Sequence, residues 1–112
     1  MINTLTLTGW LTADPISRTA PGGAQRLCFD LHTKDSRGHE VQVACFIDSG
    51  PLMLRVEPLL LPGRGIVVTG EMTQREIEQL GRTKWIAREV RVIGCEVPNR
   101  SAIKPATEEA PL

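Results

Sequence analysis

Leu5-Thr6-Leu7-Thr8-Gly9-Trp10-Leu11-Thr12-Ala13-Asp14-Pro15 alternates apolar and polar residues along almost its whole length. A period of two places Leu5, Leu7, Gly9 and Leu11 on one face of a half-buried β-strand and Thr6, Thr8, Trp10 and Thr12 on the other. Gly9 falls on the apolar face, where a missing side chain lets the backbone bend or a neighbour approach closely. Asp14-Pro15 stops the strand, and Ala20-Pro21-Gly22-Gly23 supplies a turn.

The same alternation recurs downstream. Gln25 to Thr33 reads as a second strand, with Leu27, Phe29 and Leu31 on one face and Cys28, Asp30 and His32 on the other. Lys34 to Gly38 is a polar hairpin turn. Glu40 to Ile47 is a third strand, with Val41, Val43, Cys45 and Ile47 sharing a face. Pro51 to Leu61 is the one helix candidate: Pro51 suits a first turn, and Pro58 predicts an end near Glu57. Gly65 to Thr73 is a fourth strand, Gln74 to Arg82 a polar loop, and Thr83 to Ile93 a fifth strand. That last strand sets Trp85, Ala87 and Ile93 against Ile86, Val90 and Val92. Three strands, a short helix and two strands is the order of an all-β, five-stranded oligonucleotide-binding (OB) barrel, with its helix between strands three and four. An SH3-like barrel is the competing architecture, but it does not explain the Leu-rich connection. One domain over 1–97 and a disordered, Pro-interrupted tail over 98–112 are expected.

A chain of 112 residues can bury a core without staples. Three widely spaced cysteines without CxxC read as reduced thiols, so no metal and no cofactor is expected. With neither a long apolar run nor a signal-peptide pattern, the expectation is a cytoplasmic chain with no membrane partner. Thirteen basic residues balance thirteen acidic ones, which argues against a strong electrostatic binder. Ten of the basic residues are arginine, able to pair a phosphate bidentately and to stack on a base. No paired carboxylates, nucleophile–His arrangement or phosphate loop points to an enzyme.

Leu7-Thr8-Gly9-Trp10-Leu11-Thr12-Ala13-Asp14-Pro15 resembles the opening of bacterial single-stranded-DNA-binding proteins. Further pieces follow in order: Arg18-Thr19-Ala20-Pro21-Gly22-Gly23, Phe29 with Leu31, Cys45-Phe46-Ile47, Leu60 to Gly63 with Ile66 to Met72, and Gly81-Arg82-Thr83-Lys84-Trp85. The resemblance covers roughly Ile2 to Val97. It implies a homo-oligomer, dimer or tetramer, that holds single-stranded DNA during replication, repair or recombination. Family members stack bases on aromatic residues, yet the corresponding stations here fall near Val43, Ser49 and Ile77. In this the chain is similar to a short, aromatic-poor branch of the family typified by primosomal replication protein N, which relies mainly on basic residues. A primosome-type accessory factor is therefore one alternative. An OB-fold interaction module that has lost nucleic acid is another.

Candidate nucleic-acid contacts are Arg18, Arg26, Lys34 and Arg37 at the first turns, and Arg75, Arg82, Lys84, Trp85 and Arg88 around the last two strands. Trp85 among cations is what a single-strand groove needs, though a barrel-core Trp fits the pattern equally. Each arginine alone reads as a surface residue; the case needs several on one face. Thr4, Thr6, Thr8 and Trp10 form a candidate subunit interface, because a large aromatic on a polar face suits a contact better than solvent; stacking of Trp10 on a base is the less favoured alternative. Phe29 and Phe46 read as core, but Phe46 is off the Val43 face, so an exposed position is its alternative. Glu108, Glu109, Pro111 and Leu112 match a family tail that docks replication or repair proteins, with Leu112 in the place of an aromatic. An accidental polar tail is the plainer reading.

Overall fold

The computed structural model describes residues 1–20, 22–79 and 83–98. Six strands form one sheet: β1 (Leu5–Gly9), β2 (Ile16–Thr19), β3 (Gln25–Lys34), β4 (Glu40–Ile47), β5 (Ile66–Gln79) and β6 (Thr83–Glu96). A helix, α1 (Gly50–Val56), lies between β4 and β5. The sheet order is β1-β5-β6-β4-β3-β2. All neighbours are antiparallel except β4 and β6, which run parallel through Cys45↔Val90 and Phe46↔Arg91. This is an OB-like fold, a curved and only partly closed sheet.

Closure comes from the opening stretch. Beyond Gly9 the chain meets β3 in a single bridge: Trp10 N donates to the His32 carbonyl at 2.9 Å and His32 N to the Trp10 carbonyl at 2.8 Å. β2 pairs with the earlier half of the same β3 edge, from Ile16↔Cys28 to Thr19↔Gln25. β1 and β2 thus act as two halves of one bent strand. Gly9 makes the bend possible, because a Cβ there would collide with the His32 carbonyl oxygen and stand 2.9 Å from Leu31 Cγ.

The inward faces carry the expected alternation. Leu27, Phe29 and Leu31 of β3 meet Cys45 and Ile47 of β4, Ile66 and Val68 of β5, and Val90 and Val92 of β6. α1 closes one end of this core with Leu52 and Val56, each burial worth roughly 1.5–3 kcal/mol. Ser49 caps the helix by accepting from Leu52 N, and Pro51 occupies the first turn. Pro58 does limit the helix, which ends at Val56 and continues as one 3-10 turn over Glu57–Leu59. No helix among the described residues is long and apolar enough to cross a membrane.

Three expectations are corrected. The expected first strand is longer than its apolar alternation: it bends at Gly9 and resumes as β2, where only a turn was read, because all four β2 residues are exposed and carry no burial signal. The expected polar loop over 74–82 is mostly strand. β5 and β6 pair from Val67↔Glu96 out to Gln79↔Thr83, making a long hairpin arm. Third, Trp10 does not stand free on the threonine face; it is 8 % exposed and stacked on His32.

Candidate nucleic-acid interface

The outward faces of β2, β3, β4, β5 and β6 line up through the ladder. Ile16, Cys28, Phe46, Arg91 and Glu71 are successive register partners across the five strands. Beside that row runs a groove of about 350 Å³, floored by Cys28, Asp30 and Ala44. Its walls are Ile16 and Arg18 on one side and Arg75 and Glu89 on the other.

Arg18 and Arg26 stand directly opposite each other in the β2–β3 ladder. Like charges in that relation repel. Among the described residues neither has a carboxylate partner. Arg26 instead lays its guanidinium over the Phe46 ring, 4.4 Å from the centroid. Phe46 is 4 % exposed but lies outside the core cluster, on the face away from Val43, Cys45 and Ile47.

Trp85 is 50 % exposed, which removes it from the core. It pairs with Ile77 on the arm and shares its face of β6 with Ala87 and Glu89, so it extends the groove's second wall. Two other arginines on this face are already engaged. Arg75 Nε donates to Glu89 at 2.8 Å. Arg91 Nε lies 3.1 Å from both Asp48 carboxylate oxygens, with Glu71 at 3.5 Å from Nη1. Asp14 and Asp30 also line the groove. The face therefore carries mixed charge, and its cations without a carboxylate partner among the described residues are Arg18 and Arg26 at one end and Lys34 at the far end of β3.

The remaining candidates do not converge here. Arg88 pairs with Gln74 on the opposite face of the arm, in line with Ile86 and Val90. Lys34 faces Glu40 at the far end of β3, and Arg37 sits in the turn that Asp35 organises by accepting from Arg37 N and His39 N. From Arg26 to Lys34 is about 26 Å along the strand. Arg82 and the tail residues Glu108, Glu109, Pro111 and Leu112 lie outside the described residues, as does the side chain of Lys84. Thr4, Thr6 and Thr8 are exposed along the start of the chain and β1.

Burial in the groove floor raises the Cys28 thiol pKa, partly opposed by Arg18. Deeper burial pushes Cys45 up to about 12 and Cys95 up to about 11. All three are free thiols, protonated at neutral pH and poorly nucleophilic. Among the described residues no group of three or more His, Cys, Asp or Glu is placed to hold a metal ion.

Sequence reasoning left Phe46 between core and outward face and did not name it with the candidate contacts. The signal was its offset from the Val43–Cys45–Ile47 face, combined with Arg26 two residues before its register partner Cys28.

No family model and no curated protein sequence matches the chain. Among solved structures it is similar to the mitochondrial single-stranded DNA binding protein from S. cerevisiae, with a TM-score of 0.69 at 11 % identity. That match covers 87 % of this chain and 96 % of the other. It is a likeness of fold.

Proposed function

We propose that this chain is a non-catalytic OB-fold protein that binds single-stranded DNA across the outward face of β2, β3 and β4 and along the arm. One observation carries the reading: Arg18 and Arg26 are held opposite each other without a carboxylate partner among the described residues, on the sheet face that Trp85 extends. A bound phosphate relieves their repulsion, and an exposed indole offers a base its stacking surface. The fold likeness to a single-stranded DNA binding protein supports the same reading. Asp14 and Asp30 in the groove weaken the binding, and the arginine–phosphate contacts make it fall as salt rises.

A second copy of the chain would dock on the threonine face of β1. The cellular role would be in replication, repair or recombination in the cytoplasm, alone or as an accessory factor to a replication enzyme. Titration of labelled oligo-dT at low and moderate salt tests the reading, with a duplex of equal length as control. Saturable binding that favours the single strand and weakens with salt supports it. No binding at low salt leaves the second reading, an OB-fold interaction module without nucleic acid, which the groove's carboxylates and zero net charge favour.

A further inference from the structure

The bridge that closes the barrel carries a titratable ring. His32 stacks on Trp10, with centroids 6.0 Å apart and planes 28° from parallel. The His32 side chain is 12 % exposed. Its Nε2 lies 3.2 Å from Thr12 Oγ1. Its Nδ1 is buried and makes no hydrogen bond, while Glu40 Oε2 stands 3.6 Å away.

A neutral imidazole has one proton for these two sites. With the proton on Nε2, the ring donates to Thr12 and turns a bare nitrogen toward a carboxylate. With the proton on Nδ1, the Thr12 hydroxyl donates to Nε2, and the Nδ1–H points toward an acceptor too far away for a good bond. Only the imidazolium donates from both nitrogens and attracts Glu40 as a charge.

We propose that His32 is a proton-operated latch on barrel closure: proton uptake draws Glu40 in and fastens the Trp10 bridge to β3, and proton loss loosens it. The charges facing the ring are few. Glu40 is on β4, opposite Lys34 in register, and no ion pair joins that Lys34–Glu40 couple. Asp30 and Lys34 flank His32 on its own face of β3, and the segment from Trp10 to Thr12 brings no charge. Asp14 follows in the groove wall, which Thr12 also lines, so the latch sets one side of the groove. The inference concerns the free protein and holds whether or not the chain binds DNA.

Amide hydrogen exchange tests it at pH about 5.5 and about 8, on either side of the histidine range. A His39→Ala background removes the exposed second histidine. After correction for intrinsic exchange, protection of the Trp10 and His32 amides is expected to be roughly twofold to fivefold higher at the lower pH. Glu40→Gln, an exposed substitution that leaves the core untouched, abolishes that difference. Equal protection at both pH values, or a difference that persists in Glu40→Gln, overturns the latch.

Discussion

A methyl group at Gly9 has nowhere to go. It would strike the His32 carbonyl oxygen and crowd Leu31, both on the strand that the bridge must reach. Gly9→Ala is expected to lose about 1–3 kcal/mol or more, read as a lower urea midpoint, with the Trp10 and His32 amides losing protection first. The alternation in the opening stretch already placed this glycine on the buried face. It did not reveal that Trp10 would be covered, because a period of two assigns faces only while the chain stays in one strand. Here β1 ends at Gly9, and the next residue crosses to a different neighbour. Cys45 gives a second prediction at this scale. Burial raises its thiol from 9.0 to about 12. Below pH 9 both folded and unfolded chains hold the proton and nothing changes. Above it the unfolded chain releases the proton first, so stability falls as pH rises toward 12. The decline in urea midpoint from pH about 8 to about 10.5 should be shallower in Cys45→Ala than in the parent chain.

The hairpin of β5 and β6 shows how elements escape a sequence reading. Strands whose inner residues meet a core announce themselves by apolar alternation, and β3 and β4 fall within a residue of their expected bounds. The arm beyond the barrel has no core to face. Gln74, Arg75, Glu76 and Glu78 therefore read as loop, although the ladder continues through them. β2 was hidden for the same reason. The order of strands and helix was legible; the lengths of the solvent-facing ones were not. Trp85 sits on this arm, and the arrangement gives it a role separable from folding. Trp85→Ala should leave circular dichroism and the urea midpoint unchanged within error. It should weaken oligo-dT binding by roughly 5–150-fold, the range for loss of one stacked base. On β2 and β3, Arg18→Ala and Arg26→Ala should each lower the slope of log affinity against log salt by about 0.7. Removing Arg18 should not destabilise the ladder, since it relieves a like-charge pair.

For the whole molecule, zero net charge is compatible with a pair of unneutralised arginines because two other arginines of the same face have their charge spent locally. Glu89 neutralises Arg75, and Asp48 with Glu71 neutralises Arg91. Sequence alone could count these arginines but not pair them, since the pairing depends on the β5–β6 register and on where Asp48 lands beside β6. That is why the candidate site shrank from a broad basic flank to two arginines, a half-exposed indole and an aromatic ring beneath a guanidinium. The central claim is that this face, rather than the opposite side of the barrel, meets the single strand. Mapping backbone and indole NMR shifts during an oligo-dT titration tests it directly. The account predicts saturable changes at Arg18, Arg26, Cys28 and the Trp85 indole N–H, with α1 silent. Changes centred on α1 or on the Lys34–Arg37 turn, or none at all at low salt, would contradict it.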